Sequence, residues 1–256
     1  PLYVIQLGVD IAADFGVAAQ LGGLVFETPG NVLVTAARGN ATVLAVHQRC
    51  RGLDKVIAVV ILFRIAYEQS GNTIMLWVSD RTQRTLGGWD IPAPWFSSLN
   101  PLLIIVLTPF LMAFWRRRKE AGRDQNLFRR MALGCALTGL ACLLMVAAAY
   151  QYSASGAAVS ALWVIGYFVL LTVGELLVIP VGLALFGTLS PVQVASMMMG
   201  AWYIAKFLGS LSAGFLGTLW LEIPTELFFA IGAGSTFLAA IILFVMGRRS
   251  NALATS

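Results

Sequence analysis

The chain has 256 residues, 59% of them hydrophobic and only 11% charged, with a formal net charge of +5 and a mean hydropathy of +0.82. Soluble domains carry about 25% charged residues, so the composition excludes an ordinary water-soluble globule and points to a surface that faces lipid. The basic residues cluster beside apolar runs, where a membrane rule explains them better than nucleic acid does. Cys50, Cys135 and Cys142 lack metal-ligand spacing and His47 is the single histidine, which leaves a disulfide scaffold or a metal enzyme without support.

In chain order, residues 1–54 form a poorly defined segment or linker. Pro1 is followed by no basic leader, so no signal peptide is expected, and the start predicts a piece of a longer chain. The run Val4–Phe26 contains Asp10 and Asp14 and makes a poor span, while Arg38-Gly39-Asn40 would permit a hairpin. Residues 55–247 carry six apolar stretches, 55–79, 97–115, 131–150, 160–187, 194–220 and 227–246. Each approaches the ~20 residues that a spanning helix requires. The expected fold is an all-α membrane protein, a six-helix transmembrane bundle, with 248–256 as a cytoplasmic tail.

Lys and Arg in short loops set orientation. Arg49, Arg51 and Lys55, the run Arg116 to Lys119 with Arg123, Arg129 and Arg130, and finally Arg248 and Arg249 all fall on one side. That side is expected to be cytoplasmic, with both ends of the bundle inside. The loop 116–130 is a topology determinant on this reading, not a docking face. Pro101, Pro109 and Pro180 predict kinks, and bent helices often line transporter cavities. Gly209, Ser210, Ser212, Ala213 and Gly214 predict a small-residue packing face.

Arg64, Glu68, Glu175 and Lys206 stand near the middle of their stretches. A charge at the bilayer centre costs about 2.5–3.5 kcal/mol on insertion scales, so such residues are functional candidates by default. Arg64 and Glu68 are four apart and share a helix face. A static ion network would account for the four charges, but burying such pairs is seldom the cheapest source of stability. On the functional reading, Glu68 takes up and releases a proton as its cationic partner comes and goes, and Glu175 receives an ammonium group. Asn100, beside Pro101, offers both a donor and an acceptor.

At these residues the chain resembles the proton-dependent oligopeptide transporters of the major facilitator superfamily. The resemblance is carried by Ala66-Tyr67-Glu68-Gln69-Ser70-Gly71-Asn72-Thr73, Ser79-Asp80-Arg81 and Trp95-Phe96-Ser97-Ser98-Leu99-Asn100-Pro101. Gly174-Glu175-Leu176-Leu177 with Pro180-Val181-Gly182, and Met198-Met199-Gly200-Ala201-Trp202-Tyr203, complete it. It implies that the six stretches are helices seven to twelve, the carboxy-terminal half of a twelve-helix transporter. By the same resemblance Glu68 is the proton-coupling carboxylate, and Asn100, Glu175 and Trp202 contact the peptide. Arg64 and Lys206 depart from the family pattern and are charge partners for the two glutamates. The implied partners are small peptides, protons, the lipid bilayer and an amino-terminal six-helix half. No cofactor or metal is expected, since the proton gradient drives transport, and the implied location is a bacterial inner membrane.

Competing readings are a transporter of another anionic or zwitterionic solute, motivated by Arg64, and an inert truncated fragment. An intramembrane hydrolase built on Ser153-Ala154-Ser155-Gly156 has no base within a span.

Overall fold

The computed structural model describes residues 53–86, 89–122, 126–189 and 195–254. The segment 1–52, with His47 and the hairpin that Gly39 would permit, lies outside the described residues. Seven long helices are described: α1 Leu53–Tyr67, α2 Thr73–Arg81, α3 Leu99–Glu120, α4 Leu127–Ser155, α5 Leu162–Leu189, α6 Ala195–Thr218 and α7 Thr225–Ala254. Among the described residues, five helices are long and apolar enough to cross a membrane, corresponding to α3 to α7, with α3 extended back to Pro94 and α6 on to Leu221.

The first apolar stretch is different. It was expected as one helix over 55–79, but it breaks into α1 and α2 around a 3-10 turn, Glu68–Ser70. Five consecutive polar or glycine residues, Glu68 to Asn72, supply no apolar face and include the weak helix formers Ser, Gly and Asn. The break is pinned from outside. The Gln69 amide donates to the Ala213 carbonyl of α6 at 3.0 Å, and Thr73 donates to the Gln69 oxygen at 3.0 Å. Such bonds tie the polar side chains at the break to a neighbouring helix, and burial against protein is where a broken helix is tolerated in a membrane.

The other helices end where local chemistry stops them. The three basic residues Arg117, Arg118 and Lys119 fill the last turn of α3, where the helix dipole favours cations. The Asn126 side chain caps α4 by accepting from the Phe128 N–H at 3.0 Å, and Gly156, at φ 65°, ends that helix in the left-handed region. Pro101 falls in the first turn of α3, where its missing N–H costs nothing. Pro109 and Pro180 lie inside α3 and α5, which continue through them. The last helix runs on to Ala254, so the expected tail begins as helix.

The described chain divides into two compact units. The larger comprises 58–182 and 205–254. Its core gathers Trp77, Phe96, Met145, Tyr167, Phe168, Leu171, Phe228 and Phe229, with α4 and α7 packed along each other. At one end Arg81 sits among three rings, 5.4 Å from Trp77, 5.1 Å from Tyr152 and 5.6 Å from Trp220, and its guanidinium donates to Thr225. Beside it Thr82 and Gln83 pair in parallel with Val159 and Ser160. A desolvated cation–π contact contributes about 2 kcal/mol. Arg81→Met is therefore expected to lower unfolding stability by about that amount, measured by denaturation in mixed micelles, and an unchanged midpoint would show the cage to be idle. The smaller unit holds 53–57, 183–189 and 195–204 among described residues, where Trp202, 2% exposed, packs edge-on against Phe186 at 5.2 Å.

Candidate functional site

Two polar clusters lie in the larger unit, and Tyr67 joins them. In the first, Arg64 on the last turn of α1 forms an ion pair with Glu68. An arginine four residues before a glutamate is the weaker orientation of a helical pair, so helix geometry alone does not explain it. Ser210 on α6 completes the group. It accepts from the Arg64 guanidinium at 3.2 Å and donates to Glu68 Oε1 at 3.0 Å. Gly209 makes this approach possible, since a Cβ there would lie 2.5 Å from Arg64 Cβ and 3.1 Å from the Ile61 carbonyl oxygen. The Arg64 and Glu68 side chains are 15% and 29% exposed, and Arg64 also lies 5.1 Å above the Tyr67 ring.

In the second cluster Glu175, half-buried on α5, is gripped from two other helices. The Tyr67 hydroxyl donates to Oε1 at 2.9 Å and Asn100 Nδ2 donates to Oε2 at 3.1 Å. Asn100 Nδ2 also lies 3.4 Å from the Tyr67 hydroxyl, and Thr172 donates to Asn100 Oδ1 at 2.6 Å. Asn100 thus uses both halves of its amide. Neutral donors orient a carboxylate and stabilise its charge without cancelling it. The result is a fixed anionic acceptor, suited to a cationic group such as an ammonium.

The two clusters form one continuous chain of contacts: Ser210, Glu68, Arg64, Tyr67, Glu175, Asn100, Thr172. Glu68, Asn100, Glu175 and Arg64, all singled out in the sequence, are brought together here. Lys206 is half-buried on α6, one turn before Ser210, and Trp202 belongs to the smaller unit. Tyr67, Ser210 and Thr172 join the site without being among the site residues expected from the sequence. Thr172 is three residues before Glu175 on the same helix, and Tyr67 immediately precedes Glu68, so spacing from the glutamates was the available signal. Ser210 was read as a packing residue. Among the described residues no group of His, Cys, Asp or Glu is arranged to hold a metal ion.

Known proteins agree with this architecture. The sequence model described as the POT family matches residues 52–236. A peptide transporter, YePEPT, of Yersinia enterocolitica is 37% identical over 157 residues, covering 60% of this chain and 30% of that protein. A di-/tripeptide transporter of Lactococcus lactis subsp. cremoris is 32% identical over 190 residues, 73% of this chain and 38% of that one. The chain spans between 30% and 42% of the length of such relatives. The crystal structure of a peptide transporter POT in complex with sulfate superposes with a TM-score of 0.71 at 20% identity, over 97% of this chain and 52% of that one. The POT family transporter PepTSo gives 0.69 at 24% identity, over 84% and 43%. With several apolar helices of spanning length and relatives that are transporters, this is a multi-pass membrane protein and not an enzyme. A match over residues 52–236, well over half of the chain, means that the chain belongs to the POT family.

Proposed function

We propose that this chain is the second six-helix half of a proton-coupled symporter for di- and tripeptides, working by alternating access in a bacterial inner membrane. The observation that carries the reading is Glu175, an oriented acceptor held by Tyr67 and Asn100 and joined through Tyr67 to the Arg64–Glu68 pair. In this role Glu175 receives the amino end of the peptide, and Asn100 contacts the peptide beside it. Glu68 carries the coupled proton, with Arg64 as its alternating partner and Lys206 as a second charge near Ser210. An amino-terminal six-helix half closes the cavity, and both ends of the present bundle face the cytoplasm. The inward proton gradient supplies the energy, with no cofactor.

The alternative, a site for another anionic or zwitterionic solute, rests on Arg64 as an added cation. Arg64 is bonded to both Glu68 and Ser210, which supports the peptide reading over that alternative.

The test is dialanine uptake into proteoliposomes by the full-length transporter that contains this half, under an imposed pH gradient, alkaline inside. Wild-type protein is expected to accumulate dialanine above equilibrium. Glu68→Gln is expected to lose accumulation while retaining exchange of labelled for unlabelled peptide, because a residue that cannot release a proton still binds substrate. Undiminished accumulation by Glu68→Gln would remove the coupling role, and an inert fragment would show neither activity.

A further inference from the structure

We propose that Thr172 is a positioning residue for peptide recognition, its hydroxyl holding the Asn100 amide so that the NH2 group, not the carbonyl, faces Glu175. The functional meaning rests on the reading of Glu175 as the acceptor for the peptide amino group. An asparagine amide has a donor face and an acceptor face of nearly the same shape, so its direction is set by its neighbours. Here one neighbour is a carboxylate that needs donors, with Oε2 at 3.1 Å from Nδ2. On the other side Thr172 is fully buried and its Oγ1 lies 2.6 Å from Oδ1.

A threonine in a helix ordinarily donates to the carbonyl one turn back, and Thr172 does have the Phe168 oxygen at 2.7 Å. A single hydroxyl proton cannot serve both acceptors fully. The shorter contact to Asn100 crosses from α5 to α3, which a local helical habit does not explain. Without the hydroxyl, Asn100 Oδ1 would lose the hydrogen bond described for it, and leaving an acceptor unpaired is costly. The amide would then be held from the Glu175 side alone, and its Nδ2 would keep the 3.1 Å contact with the carboxylate less firmly. Thr172 therefore acts on the peptide site through Asn100, touching no ligand itself.

The experiment compares Thr172→Val, Thr172→Ser and Asn100→Ala in the protein in nanodiscs. In ligand-free protein, the infrared carboxyl band of Glu175 is the one that Glu175→Gln removes. Thr172→Val is expected to shift that band in the same direction as Asn100→Ala, while Thr172→Ser leaves it in place. Dialanine affinity should fall about tenfold in Thr172→Val, the size of one hydrogen bond to a charged group. Adding Thr172→Val to Asn100→Ala should weaken binding no further. A band unmoved by Thr172→Val, or a loss that multiplies with that of Asn100→Ala, would overturn the assignment in favour of the local Phe168 bond. If Thr172→Val does not fold, Thr172→Ala is held to the same outcomes. Wild-type protein that ignores dialanine would sink the peptide reading alone, and the ligand-free band would still decide the role of Thr172.

Discussion

Replacing Arg64 with Met is expected to cost about 2 kcal/mol of stability, and replacing Arg64 and Glu68 together is expected to restore most of it. Removing one member of a fully buried ion pair costs about 3–5 kcal/mol, because the other is left charged and uncompensated. The lower figure applies because Glu68 keeps 29% of its side chain exposed. With Arg64→Met alone, Glu68 retains only the Ser210 hydroxyl among the bonds described for it. Methionine preserves much of the stem that packs on Gly209 and Tyr67, so the loss reports charge more than volume. Arg64→Met with Glu68→Gln removes both charges and leaves an amide able to accept from Ser210. The measurement is a double-mutant cycle on unfolding in mixed micelles. A double variant no more stable than Arg64→Met would show that the pair does not act as a unit.

Much of this arrangement was legible in the sequence. Five of the six apolar stretches are continuous helices, and α4 and α7 overshoot the predicted limits at both ends for a physical reason. Hydropathy marks the part that faces hydrocarbon, whereas hydrogen bonding carries a helix on to its caps. The stretch 131–150 thus lies within Leu127–Ser155, which Asn126 and Gly156 terminate. The Arg64–Glu68 pair was legible from its spacing of four. The break at Glu68–Ser70 was not, although Ser70, Gly71 and Asn72 carried the signal. Counting apolar residues over a whole span averages such a short polar run away. Tyr67, Ser210 and Thr172 are ordinary residues in a membrane helix, and only tertiary contact distinguishes them. Both glutamates turn to partners on neighbouring helices instead of to lipid, as buried charge requires.

The α4–α5 crossing beside Glu175 is expected to be the least forgiving place in the larger unit. Gly134 and Gly174 face each other there: a Cβ on Gly174 would lie 2.8 Å from the Gly134 carbonyl oxygen, and one on Gly134 would lie 2.7 Å from that of Gly174. The Thr138 hydroxyl and the Val178 and Leu177 side chains crowd the same space, but the two carbonyls are backbone, so relief requires the helices to part. Overpacking in a well-packed interior costs about 1–3 kcal/mol, and Gly174→Ala should reach the top of that range. Gly174→Val adds two methyl groups to the same space and is expected to prevent recovery of folded protein. Parting the helices would also shift Glu175 away from Asn100 and Tyr67, which stand on α3 and α1. Gly214→Ala on α6 is the control, since nothing lies within 4 Å of its Cβ position. There alanine should be neutral or add up to about 1 kcal/mol through helix propensity. Size-exclusion profiles and thermal midpoints in detergent would compare the three. A Gly174→Ala protein that melts with wild type would mean that the crossing is looser than its geometry states, and that small residues do not set the distance at which α5 presents Glu175.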